Sequence, residues 1–175
     1  IGAGEFMEWE LLMVRFLERN GYDVAYSTNI DTHTSGARLR AHKAFLSVGH
    51  DEYWTKQMRD NVEAARDAGV NLGFFGANNA YWQMRFEPSS TGQANRTVVA
   101  YRSDTIAKDP VYLSNPAEST LLFRHAQINR PEAALIGVQY AYNTVRSDMM
   151  VGDCNNWVCA GTGLIAGDTL PGLLG

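Results

Sequence analysis

The sequence predicts an α/β fold built on a mostly parallel sheet, and three observations predict it. Residues 44–48, Ala-Phe-Leu-Ser-Val, form an apolar run of buried-strand length that stops at Gly49. Thr55 stands where an N-cap belongs, before a helical stretch to residue 68 with Met58, Val62 and Ala65 on one face and Gly69 as terminator. Residues 70–75 repeat the apolar run and stop at Gly76. Strand, helix and strand within about 32 residues make a βαβ unit, whose strands run parallel through a right-handed crossover.

The flanking elements follow from local pattern. Residues 1–6 precede a methionine and read as a cloning scar, which leaves 7–175 as a single α/β domain. The uncharged end, Leu170-Pro171-Gly172-Leu173-Leu174-Gly175, reads as a cut through a longer protein, so truncation is expected at both ends. Trp9, Leu12, Met13, Phe16 and Leu17 recur at helical spacing among charged residues, and Asn20-Gly21 ends an amphipathic helix over 8–19. Aromatic and β-branched residues predict a strand over 22–28, followed by a polar loop over 29–36. Further strands are expected at 97–102, 111–113 and 134–142. The glycine-rich stretch from Asp153 is expected to be loop with one short strand.

Composition excludes several classes. With 45% apolar and 19% charged residues, the 175-residue chain has material for a core. Its formal charge is −4 and neither half is basic, which argues against a nucleic-acid partner. No apolar run approaches the roughly 18 residues of a membrane span, so a soluble, cytoplasmic setting is expected. Cys154 and Cys159 make neither a disulfide framework nor a four-ligand zinc site, and read as ordinary thiols.

In open α/β sheets, ligands bind beyond the carboxyl ends of the strands. Here two consecutive strands end in polar clusters, Gly49-His50-Asp51-Glu52-Tyr53-Trp54 and Gly76-Ala77-Asn78-Asn79-Ala80-Tyr81-Trp82, which should face one crevice. His50 suits a general base, because its ordinary pKa lies near neutrality; the bland alternative is a capping or hydrogen-bonding histidine. Glu52 suits a metal ligand or an acid–base group, or simply a charge favouring the next helix dipole. Asn78 offers an amide to a carbonyl oxygen or a water, or tolerates a tight turn. Asp51 reads as structural, and Tyr53, Trp54, Tyr81 and Trp82 as wall and core. Asp31 and His33 form a weaker metal candidate, while His42 and His125 stand alone.

The string from His42 to Thr55, with Gly-His-Asp-Glu-Tyr-Trp at its centre, closely resembles the large (beta) subunit family of N,N-dimethylformamidase. Gly73-Phe74-Phe75-Gly76-Ala77-Asn78-Asn79-Ala80-Tyr81-Trp82 resembles that family's next strand and turn. Arg130-Pro131-Glu132, the stretch from Leu135 to Tyr140, and Gly161-Thr162-Gly163-Leu164 through Gly167-Asp168 resemble its later segments. The resemblance implies a flavodoxin-like, class I glutamine-amidotransferase-like three-layer sandwich. It also implies a hydrolase acting on linear amide C–N bonds, splitting a small formamide into formate and amine. The implied cofactor is a mononuclear non-haem iron held by two tyrosines and one glutamate, the glutamate corresponding to Glu52, with His50 and Asn78 as its active-site neighbours. The amidotransferase nucleophile would fall near Ala77 and Asn78, where this chain has no cysteine. The implied tyrosine ligands lie upstream of the first helix, so the isolated fragment is expected to be inactive. Implied partners are a small amide substrate, a small subunit and further copies of the chain. The competing expectation is a non-catalytic module that binds a small ligand or carbohydrate through its tyrosines and tryptophans.

Overall fold

The structure, a computed structural model, describes residues 5–141 and 147–174. The chain divides into two compact units, Ile1–Gln139 and Tyr140–Gly175. The first is a mixed α/β unit with small sheets, and the predicted βαβ unit lies at its centre. Strand β1 (Ala44–Val48) pairs in parallel with β3 (Asn71–Phe75), from Ala44 opposite Asn71 to Val48 opposite Phe75. Between them runs α4 (Lys56–Asp67). Thr55 caps it as predicted: its hydroxyl accepts from the Met58 N–H at 3.0 Å, satisfying one of the donors that a helix start leaves free.

Before this unit, a π-helical turn (Phe6–Glu10) continues into α1 (Leu11–Arg19). The amphipathic pattern is present, yet Trp9, Leu12 and Phe16 remain exposed. Residues 22–28 form no strand and join no sheet in the described structure, so β-propensity without a pairing partner does not produce a strand there. The expected loop at 29–36 is instead helical, with α2 at Asn29–Thr34 and α3 starting at Gly36 (Gly36–Leu39). A reciprocal box explains α2: the Thr28 hydroxyl accepts from the Asp31 N–H, and the Asp31 carboxylate accepts from the Thr28 N–H at 2.9 Å.

A second small sheet orders β2 (Tyr53–Thr55), β4 (Trp82–Glu87) and β5 (Thr97–Val99). Strand β2 is parallel to β4, and β4 is antiparallel to β5. The strand expected at 97–102 therefore ends early, and Arg102 opens a short helix, α5 (Arg102–Thr105). Residues 111–113 form turns rather than a strand. The strand expected at 134–142 is replaced by α6 (Ala133–Ile136), closed by Gly137 in the left-handed region; residue 142 lies outside the described residues.

Trp54 is wholly buried, with the Phe45 and Phe74 rings each 6.3 Å away and Met58, Val62 and Ala65 of α4 in the same cluster. Charged groups then tie the core to later segments. The buried Arg59 guanidinium bonds Glu63 at 2.8 Å and the carbonyls of Arg130 and Pro131, with the Phe123 ring beneath it. Arg85 forms a two-pronged pair with buried Asp109 at 2.8 and 2.9 Å. Such pairs fix geometry more than they add stability, but breaking one strands a buried charge.

The second unit pairs β6 (Ser147–Met150) antiparallel with β7 (Thr169–Leu174), the one strand found in the glycine-rich end. Here the cysteine reading needs correction. Cys154 and Cys159 are not ordinary thiols but form a disulfide, with their Cα atoms 5.4 Å apart. A five-residue separation with a 3₁₀ turn at Trp157–Cys159 brings the two side chains together, which spacing alone did not signal. Among the described residues, no helix is long and apolar enough to cross a membrane.

Candidate functional site

The two polar clusters meet as the parallel pairing of β1 and β3 requires. The Gly49 N–H donates to the Phe75 carbonyl at 3.0 Å, and a Cβ on Gly76 would lie only 1.8 Å from the Gly49 carbonyl oxygen. Glycine at 76 is therefore what lets the two strand ends close together. Beyond them, the Asp51 carbonyl accepts from Ala80, and the Glu52 carbonyl accepts from both Tyr81 and Trp82. The Gly-His-Asp-Glu segment and the Asn-Asn-Ala turn thus lie side by side along the backbone.

The side chains divide into a hydrogen-bonded pair and a support. His50 Nε2 lies 2.8 Å from Glu52 Oε2, with the imidazole about half exposed (49%) and the carboxylate largely covered (17%). If Nε2–H donates to Glu52, the tautomer leaves Nδ1 bare, and no described residue hydrogen-bonds it. Asp51 serves as the support its structural reading implied. It accepts from Ser47 Oγ at 2.8 Å and from Asn29 Nδ2 at 3.3 Å, while Asn79 Nδ2 donates to Ser47 at 3.1 Å. Burial pushes the Asp51 carboxyl above the ordinary range, and the bonds from Ser47 and Asn29 pull against it.

Asn78 projects from a turn in which it and Ala80 both occupy the left-handed region, at φ 56° and 50°. Asparagine tolerates that conformation better than most residues, which bears out the turn reading. Its side-chain amide makes no hydrogen bond among the described residues and remains available to a ligand. Strained turns of this kind concentrate at functional sites.

Three contributors carry little or no signal in the sequence. Ser47 holds Asp51 and Asn79 braces Ser47, and their only sequence signal was one polar residue in an apolar strand and a doubled asparagine. Glu10 reaches Gly49 from the first helical turn: a Cβ on Gly49 would meet its Oε1 at 2.9 Å, and its Oε2 is buried without a hydrogen-bond partner.

Other candidates resolve differently. Asp31 is spent on the α2 capping box, and His33 Nδ1 lies 2.7 Å from the Thr55 hydroxyl. Burial holds the His33 imidazole below its usual pKa. His33 also lines a cavity of about 190 Å³ with Thr55, Lys56, Gln57, Arg85, Phe86 and Glu118, to which His50, Glu52 and Asn78 do not contribute. Tyr53 and Trp82 carry Arg102: its Nη1 donates to the Tyr53 hydroxyl at 3.0 Å, and its guanidinium lies 5.1 Å from the Trp82 ring centre.

Among the described residues, no group of three or more His, Cys, Asp or Glu side chains is placed to hold a metal ion. Glu52 is one carboxylate already engaged by His50, and Tyr26, which bonds Glu18, and Tyr53, which bonds Arg102, are each committed elsewhere. These donors do not by themselves fit a mononuclear iron centre.

No curated protein matches the chain. A family model described as N,N-dimethylformamidase beta subunit-like, C-terminal, matches residues 1–175, the whole of it. The side-by-side Gly-His-Asp-Glu-Tyr-Trp and Gly-Ala-Asn-Asn-Ala-Tyr-Trp segments carry the resemblance, and with this match the chain belongs to the N,N-dimethylformamidase beta subunit-like, C-terminal domain family.

Proposed function

We propose that this chain carries acid–base residues of a hydrolase that cleaves small linear amides such as N,N-dimethylformamide into a carboxylate and an amine. The observation that carries the reading is the 2.8 Å His50–Glu52 pair beside the unengaged Asn78 amide, in a family described as N,N-dimethylformamidase beta subunit-like. An amide is a poor electrophile with a poor leaving group, so its hydrolysis needs carbonyl polarisation and protonation of nitrogen. Glu52 holds the imidazole through Nε2–H. Nδ1 of His50 takes a proton from the attacking water and returns it to the departing amine. The Asn78 amide donates to the carbonyl oxygen as it gains negative charge. Because the described donors do not complete an iron site, no step is assigned to that metal; ligation of iron by Glu52 would need donors beyond those described. We further infer the flavodoxin-like layering, supported by the parallel β1–α4–β3 unit, and an assembly with a second type of subunit, supported by the family description.

The test is formate release from N,N-dimethylformamide by the intact protein and its Glu52→Gln and Asn78→Ala variants. Losses of about 10²-fold or more are expected in each variant, from acid–base support at Glu52 and carbonyl polarisation at Asn78. Wild-type rates in both variants would contradict the reading. Iron content of the intact protein beside Glu52→Ala reports separately whether that carboxylate is a ligand.

A further inference from the structure

Among the described residues, the arginines fall into three groups. Arg59, Arg66, Arg85, Arg124 and Arg130 are each paired with a carboxylate. Arg15, Arg19, Arg38, Arg40 and Arg96 make no side-chain hydrogen bond or ion pair. Arg102 alone is held by side-chain contacts on two sides while its charge faces no carboxylate. Nη1 donates to the Tyr53 hydroxyl, and the Trp82 ring lies beneath the guanidinium. Tyr53 and Trp82 are register partners in β2 and β4, so they share one face of that sheet and form a platform. The residue is exposed, and its backbone sits at φ 57°, a costly conformation for a residue with a Cβ.

Two kinds of donor remain open there. The guanidinium keeps the N–H groups that Tyr53 does not accept. The Tyr53 hydroxyl accepts from Arg102 and has no acceptor for its own proton among the described residues. A planar fork fixed on an aromatic face, beside a phenol donor, matches the two oxygens of a carboxylate. We propose that Arg102 and Tyr53, on the Trp82 platform, form a carboxylate-binding site. Tyr53 directly follows Glu52 in the chain, and the Trp82 N–H donates to the Glu52 carbonyl, which places the platform next to the acid–base pair. The carboxylate is therefore either the acid product of hydrolysis or an acid group carried by the amide itself. That assignment rests on the amide-hydrolase reading; the binding site does not.

The experiment is a titration of the intact protein with sodium acetate, sodium formate and N-acetylglycine at constant ionic strength, followed by tryptophan fluorescence. The proteins compared are the wild type, Arg102→Gln, Arg102→Lys and the control Arg96→Gln, each checked by circular dichroism for unchanged folding. The expected result is a saturable response in wild type and Arg96→Gln that weakens about tenfold or more in Arg102→Gln. Arg102→Lys should recover only part of it, because an ammonium keeps the charge but loses the fork. Tighter binding of N-acetylglycine than of acetate would identify the amide's own acid group as the ligand. Equal binding would identify the free acid product. No saturable response in wild type, or an equal response in Arg102→Gln, would overturn the proposal. Since no turnover is measured, failure of the hydrolase reading would leave this result intact.

Discussion

At the residue scale, a half-buried carboxylate, Asp51, is tied down by hydrogen bonds beside the His50–Glu52 pair proposed for the chemistry. Asp51 is held by Ser47 and Asn29 while Asn79 braces Ser47, so the segment between β1 and β2 is pinned from three directions. Removing the carboxylate strands those donors, and an unsatisfied buried polar group costs about 1–3 kcal/mol. Asp51→Ala should therefore lower unfolding stability by about that much in urea titration, with Asp51→Asn losing less because an amide oxygen still accepts. Equal, negligible losses would mean the network is ornamental. The side-by-side placement of the His50–Glu52 segment and the Asn78 turn, and the structural role of Asp51, were legible, because consecutive ionisable residues after an apolar run stand out. Ser47, Asn79 and Arg102 were not, since what marks them is which neighbour they reach, and the Ser47–Asn79 and Arg102–Tyr53 contacts depend on pairing across 32 and 49 residues.

At the scale of elements, the central βαβ unit was readable for a simple reason. Its apolar runs, N-cap and glycine stops all agree, and local signals that agree with the fold are seldom overridden. The misread segments are those where two signals competed. Residues 22–28 have strand-forming side chains and no partner strand. Residues 29–34 look like a polar loop, but threonine and aspartate at capping positions start a helix. The junction itself makes a sharp demand at Gly76, whose missing Cβ admits the Gly49 carbonyl. Gly76→Ala should cost on the order of 3 kcal/mol, since the contact is backbone and neither side can yield cheaply. A thermal melt unchanged from wild type would show that the strand ends do not approach as described.

At the scale of the molecule, ion pairs link α4 and β4 to the segments between residues 109 and 132. Burial alone would raise the Glu63 and Asp109 carboxyls, yet the guanidiniums of Arg59 and Arg130 beside Glu63, and of Arg85 beside Asp109, hold both below the usual range. Lowered folded pKa values add stability above the unfolded pKa, and that stability is lost as pH falls through about 4 and below. Asp51 has the opposite sign: its raised pKa favours the fold most at low pH and least once it ionises. Asp31 is also lowered, by its hydrogen bonds from Thr28, so three lowered carboxyls against one raised predict net acid destabilisation. The urea midpoint should fall between about pH 4.5 and 3, and Asp109→Asn should flatten that slope. A midpoint that rises in this window would mean Asp51 dominates. The disulfide escaped the sequence reading altogether, because two cysteines five residues apart in a glycine-rich stretch carry no pattern of their own.

The central claim, that His50 and Glu52 act as one catalytic unit, is tested most directly by a double-mutant cycle on amide hydrolysis by the intact protein. Residues that work through each other are strongly non-additive. His50→Gln, Glu52→Gln and the double variant should all lose kcat/KM to a similar extent. Losses that multiply in the double variant would show two independent contributions, and full activity in either single variant would remove the pair from the chemistry.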